Sequence, residues 1–372
     1  MFLSLRFPIT YILMVRFDLR KRGGEVGRYE AADGIRGVAC LIVLILHSIV
    51  ILYYGLNGYL VGIPKVGVWL FFVLSAFLLT AKFESGGITA KTILSYVVGR
   101  VLRILPLYIG FVFIYWYFGT AGINDSSDVI KSLTLTGSYS HLWTIPVEFK
   151  YYALLPFIAF LLMYVKKKRG IATSLATGLV IVLVHQYVWP YWETPFGSPD
   201  VFWYISCFVM GSLAAICMSA SDKFVTNSRA DAVVVLSVFL VFALSPYARF
   251  KFFGITPDDY LVNKHVYFGF MCAILVVFLS RGHGVSGALM KKMPLVAVGG
   301  WSYPIYLVHW LIIQKIAVFY SGNYIALIAS IVLSIAAGGV IHYIIEIPLE
   351  RFRQYVMRGI VNWNNRRPIS AP

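Results

Sequence analysis

Ten apolar stretches, each close to the twenty residues that a helix needs to cross a hydrocarbon core, divide this chain almost end to end. They fall at roughly 33–54, 64–82, 100–119, 146–165, 171–189, 200–219, 231–247, 264–280, 295–318 and 324–347. In lipid every backbone N–H and C=O must be paired within the chain, so runs of this length predict α-helices. The expected fold is therefore all-α, a polytopic membrane protein of about ten transmembrane helices. With 59% hydrophobic and 13% charged residues among 372, the chain carries more apolar surface than a soluble domain can hide.

The basic residues orient it. The formal net charge is +16, but the lysines and arginines fall in short connecting segments, which is a topology signal and no nucleic-acid footprint. If the N-terminus faces the cytoplasm, 25 of the 32 basic residues lie on the cytoplasmic side. That bias predicts an even number of spans and two cytoplasmic termini. Three regions follow: a cytoplasmic or interfacial segment 1–32, a membrane domain 33–350 and a basic cytoplasmic tail 351–372. Residues 1–17 are apolar but interrupted by Arg6, Pro8 and Arg16, and they lack a small-residue cleavage site. An interfacial helix and a start codon upstream of the functional one both fit them. Cys40, Cys207, Cys217 and Cys272 all lie in apolar segments, without metal-ligand spacing, and read as packing residues. No metal site is expected.

Chemistry is expected where polar groups enter the apolar segments. The first span opens DGIRGVACLIVLILH, with Asp33 and Arg36 one turn apart. His47 follows Arg36 by eleven residues, close to three turns, hence nearly the same face and roughly 16 Å deeper. An intramembrane imidazole marks a functional site by default, the bland reading being a packed histidine satisfied by a hydroxyl or carbonyl. Arg100 and Arg103 share a face before Pro106. Two guanidiniums so placed suit a phosphate or pyrophosphate clamp, and equally suit snorkelling to lipid headgroups. In HLWTIPVEFKYY, Glu148 follows Trp143 and precedes Tyr151 and Tyr152. Trp143 and Tyr151 beside the carboxylate fit either a sugar platform or an interfacial belt, and Lys150 can neutralise Glu148. Ser302, Tyr306 and His309 form a polar stripe on the ninth span. His185 reads as a core or interfacial residue, His342 with Glu346 as a structural lock, Gly211 with Ala215 as a close-packing pair, and Asp258 with Asp259 as a solvated loop.

Taken together, these segments resemble the acyltransferase-3 family of integral membrane acyltransferases. The resemblance runs from Asp33 to Arg351. It rests on Asp33, Gly34, Arg36, Gly37 and His47; on Leu70 to Phe77; on Arg100, Arg103 and Pro106; on Trp143, Val147, Glu148 and Tyr152; and on Ser302, Tyr303, Tyr306, Leu307 and His309. Three positions depart from what the family usually shows: Trp69 stands where many members have an aspartate, Ala76 replaces the usual glycine and Thr144 replaces a serine.

The resemblance implies acyl transfer from cytoplasmic acetyl-CoA or another acyl-CoA to a hydroxyl of a cell-surface or lipid-linked carbohydrate, in a bacterial cytoplasmic membrane. It also implies the stand-alone form, without a fused extracytoplasmic domain. His47 is then the expected general base or transient acyl carrier, with Arg36, Glu148 and His309 in the catalytic group. Arg36, Arg100 and Arg103 hold the donor; Trp143, Tyr152, Ser302 and Tyr306 bind the acceptor; Asp33 supports Arg36. Two other readings fit the residues: acyl transfer to a small secreted metabolite, and a transporter or flippase whose polar groups line a path.

Overall fold

The computed structural model describes residues 29–365, and their side chains as far as Arg358. The apolar stretch 1–17 and the last residues of the basic tail lie outside the described residues. Among the described residues the ordered elements are all helical. The longer α-helices are α1 (Ala32–Leu52), α2 (Ile63–Gly86), α3 (Ala90–Phe118), α4 (Ser126–Leu133), α5 (Thr144–Arg169), α6 (Ile171–Val188) and α7 (Ile205–Cys217). After them come α8 (Asn227–Ala243), α9 (Pro246–Phe253), α10 (His265–Leu279), α11 (Gly284–Met290), α12 (Met293–Gly300), α13 (Ser302–Tyr320), α14 (Tyr324–Ile341) and α15 (Ile347–Asn365).

Eight helical stretches are long and apolar enough to cross a membrane, and ten if each of two bent pairs is one span. The bent pairs are α8 with α9, at 68°, and α10 with α11, at 87°. The first bend follows from Ser245-Pro246. Proline cannot continue the hydrogen-bond ladder of α8, and the Ser245 hydroxyl accepts the Ala248 N–H to start α9 afresh. The apolar segment 295–318 is two helices, because the chain breaks at Trp301 after Gly299-Gly300. The polar loop before α5 contains α4, opened by a reciprocal cap between Asp125 and Asp128. At the far end of α5, Lys166 to Arg169 place four positive charges on the negative end of the helix dipole.

Packing between helices depends on small residues, since lipid supplies no hydrophobic drive for helix association. α2 and α7 form the enclosed centre of the bundle. A Cβ at Gly211 on α7 would overlap the Val73 carbonyl of α2 and press on the Ala76 methyl. Ala76 thus lies opposite a glycine that leaves room for its methyl. α1 approaches α11 and α12 as closely. Cβ atoms at Gly34 and Gly37 would overlap the carbonyls of Met290 and Leu295, and one at Gly299 would overlap the Asp33 carbonyl. The DGIRG run therefore has a packing reason for both glycines: they let α1 lie backbone to backbone against the short helices, which fixes the ends from which Asp33 and Arg36 project.

Candidate active site

His47 is the sixteenth residue of the 21-residue helix α1, midway between its centre and its Leu52 end. Its Nδ1 lies 3.1 Å from Nε2 of His309 on α13. The rings are parallel to within 6°, with centroids 5.4 Å apart. His309 Nδ1 lies 2.7 Å from the Tyr306 carbonyl and 3.2 Å from that of Ile305. A carbonyl can only accept, so His309 donates from Nδ1. A neutral ring then offers Nε2 as acceptor, and His47 donates to it from Nδ1. The remaining nitrogen of His47, Nε2, carries the lone pair, in the orientation a general base requires. His309 is almost wholly buried, whereas His47 is half-buried.

A third imidazole joins this pair. His141, in the short turn Ser140–Trp143 before α5, is buried against His309 at 4.9 Å between centroids and stacks on Trp310 at 5.2 Å. Trp310 also meets His47 edge-on at 5.1 Å. The Tyr306 hydroxyl binds the His141 carbonyl and lies 2.7 Å from the Thr144 hydroxyl. Tyr115 on α3 donates to the Leu307 carbonyl at 2.6 Å and reaches His141 Nε2 at 3.4 Å. Sequence reasoning passed over His141 because it precedes its span and shares no helical face with His47 or His309. The available signal was its place two residues before Trp143.

The guanidiniums form a second group, one helical turn from the start of α1. Arg36 is paired with Asp33 at 2.8 Å. Arg100, Arg103 and Glu148 all lie within electrostatic reach of Arg36. Arg100 stands over the Tyr152 ring at 5.7 Å. Three cations thus converge with two carboxylates, Asp33 paired with Arg36 and Glu148 unpaired, and neither Arg100 nor Arg103 enters an ion pair among the described residues. Such a group attracts phosphate-like anions, which guanidiniums bind bidentately.

Glu148 lies between the two groups. It accepts from Ser75 at 2.7 Å and from the Tyr152 hydroxyl, and these two hydroxyls are 3.0 Å apart. It makes no hydrogen bond to His47; the orienting partner of His47 is His309. Lys150 does not neutralise Glu148 but points away, to the Pro199 carbonyl at 3.0 Å and Asp200 at 3.6 Å. Trp143 and Tyr151 do not make one exposed platform. Trp143 packs on Tyr204 at 5.2 Å, while Tyr151 is enclosed and stacks on Phe208 at 4.0 Å. The Ser302 hydroxyl donates to the Gly299 carbonyl at 2.8 Å, closing the break between α12 and α13. His185 is bound to Ser206 and the Phe202 carbonyl, and His342 to Glu346 at 2.6 Å within a π-helical turn. Asp258 is paired with Arg249. Among the described residues no group of histidine, cysteine and carboxylate side chains is arranged to hold a metal ion.

A helical membrane protein with a hydrogen-bonded imidazole pair in its interior, and a cluster of guanidiniums about three helical turns away, has the parts of a group-transfer enzyme. Residues 29–345 match the family model described as an acyltransferase domain, and the chain belongs to the acyltransferase-3 family. It is thus a membrane acyltransferase, which sets aside the transporter reading. Comparison with the curated proteins and with the solved structures finds no match.

Proposed function

We propose that the protein transfers an acetyl or other short acyl group from cytoplasmic acyl-CoA to a hydroxyl of a cell-surface or lipid-linked carbohydrate, in a bacterial cytoplasmic membrane with both termini inside. Arg36, Arg100 and Arg103 bind the phosphates of the coenzyme at the cytoplasmic mouth. The pantetheine arm then extends past Glu148 and Tyr152 toward the imidazoles. From Arg36 to His47 is roughly 16 Å along α1, a distance an extended arm can cover.

At the reacting centre the acceptor hydroxyl loses its proton to His47 Nε2 as its oxygen attacks the thioester carbonyl. A carbon–oxygen bond forms and a tetrahedral intermediate carries the negative charge. Its collapse breaks the carbon–sulfur bond, and the proton held by His47 passes to the departing thiolate. His309, anchored on backbone carbonyls, keeps the His47 proton on Nδ1 throughout, as the orienting member of a catalytic triad does. Tyr306 and Trp143 border the acceptor, and Glu148, held by Ser75 and Tyr152, shapes the passage.

The observation that carries this reading is the chain from His47 Nδ1 through His309 to the Tyr306 carbonyl, because it leaves one basic lone pair free. Mass spectrometry of surface polysaccharide from cells with and without the protein tests it. The expected difference is a mass of one acyl ester; identical spectra, with the protein present in the membrane, would exclude a carbohydrate acceptor.

A further inference from the structure

Lys65 lies in the first turn of α2, at the end of the bundle opposite Arg36, because α1 and α2 are joined by a short connection and run in opposite directions. It is 9% exposed. Its ammonium donates to the Val262 carbonyl at 3.1 Å and stands over the rings of Phe196 at 4.4 Å and Trp143 at 5.4 Å. None of the ion pairs among the described residues includes it. The nearby carboxylate of Asp259 acts on it only through space. A buried cation without a counterion is costly, and more so than any unpaired neutral group.

The groups behind Lys65 are also incomplete. Trp69, one turn further along α2, Tyr204 and His265 are each at most 2% exposed. The indole nitrogen of Trp69 and the Tyr204 hydroxyl have no hydrogen-bond partner among the described residues, while the His265 ring lies near the backbone of Trp203 and Asn263. The His265 ring is 5.2 Å from that of Tyr204 and 6.5 Å from that of Trp69. Buried water can satisfy the neutral groups but does not balance the ammonium.

The cluster also leads to the imidazoles. Trp143 touches Lys65 on one side, and the next residue, Thr144, is hydrogen-bonded to Tyr306 on the other. The rim toward solvent is aromatic and carries both signs of charge, with Lys264 and with Asp259, Asp258 and Asp200 within electrostatic reach of the cluster. Phe196 is 73% exposed, and Lys264 stands over Tyr260 at 4.3 Å and Tyr191 at 5.0 Å. Aromatic faces that stack a sugar ring, with a desolvated cation beside them, select a sugar that carries a negative charge.

We propose that Lys65, backed by Trp69, Tyr204 and His265, is a subsite for an anionic oxygen group, carboxylate or phosphate, borne by the carbohydrate acceptor. The subsite rests on the reading of the acceptor as a carbohydrate, but its test does not require turnover. The full chain in lipid nanodiscs is titrated, without donor, with methyl β-glucuronide, glucose 6-phosphate and methyl β-glucoside, and binding is followed by tryptophan fluorescence. At least one anionic probe should bind about tenfold or more tightly than the glucoside, and which one does distinguishes carboxylate from phosphate. Lys65→Met should abolish that preference while Lys65→Arg retains it, and Tyr204→Phe, which removes a single hydroxyl, should weaken the anionic probe alone. Equal binding of all three probes, or a preference that survives in Lys65→Met, overturns the subsite. A protein that shows the preference but never acylates a sugar leaves the subsite standing and removes the proposed acceptor.

Discussion

His47 Nδ1 and His309 Nε2 meet at 3.1 Å across two helices that are 262 residues apart in the chain. The contact fixes which nitrogen of His47 is free, and its role is measurable. His309→Phe keeps an aromatic ring but removes the acceptor. Turnover should fall roughly 10- to 100-fold, with the KM for acetyl-CoA unchanged, because the base remains but loses its orientation. Acyl transfer from radiolabelled acetyl-CoA in proteoliposomes reads both quantities.

Arg100 and Arg103 separate donor binding from chemistry. Each hydrogen bond from a guanidinium to a phosphate is worth about 1.5–3 kcal/mol. Arg100→Gln or Arg103→Gln should raise the donor KM by roughly tenfold or more, with kcat little changed. Lysine at either position should restore the charge but only part of the affinity, since it cannot bind bidentately. Donor-dependence curves for the four variants check this.

Gly34 supports the site through packing. A valine there would drive its Cβ into the Met290 carbonyl, which belongs to backbone and cannot swing aside. Overpacking of this kind costs about 1–3 kcal/mol or more. Gly34→Val should lower the melting temperature in detergent and reduce activity with it, whereas valine at Gly110, where a Cβ meets nothing within 4 Å, should do neither.

Asp128 gives the loop before α5 a pH dependence. Its carboxylate accepts from the Asn124 N–H at 2.9 Å, the Tyr139 hydroxyl at 2.9 Å and the Asp125 N–H at 3.4 Å, and these bonds hold its pKa below the usual value. Burial and the bond to Asp128 push Tyr139 up to about 12, so it remains a donor at neutral pH. A depressed carboxylate contributes stability above its unfolded pKa of about 3.9 and loses it as pH falls through the folded value. Proteolysis of this loop should therefore accelerate below about pH 4. Asp128→Asn should make it fast at pH 7 as well.

Much of this was legible in the sequence, for identifiable reasons. The spans were legible because lipid enforces long apolar runs, and the depth of His47 relative to Arg36 followed from the rise of one helix. The breaks were harder. Pro246 announces its bend, and the break at Trp301 has its own signals in Gly299-Gly300 and in Pro304, which cannot donate to the Gly300 carbonyl, but the close approach of Gly299 to the Asp33 carbonyl is visible only in the packing. Contacts between distant segments were not legible. The pairing of His47 with His309, the placement of His141 beside both and the diversion of Lys150 to Asp200 depend on how helices pack, which periodicity along one helix does not encode. Arg100, Arg103 and Arg36 share a region for the same reason: α3 packs on α5, α13 and α15, and the arrangement of the bundle brings its arginines within reach of Arg36, which neither segment alone requires.

The central claim is that the free lone pair of His47 takes the acceptor proton. The most direct measurement is the turnover of His47→Ala in proteoliposomes with radiolabelled acetyl-CoA and the identified acceptor, compared with wild type at matched protein. The account predicts a loss of at least about 10²-fold with the donor KM preserved. Ester formation at the wild-type rate would contradict it.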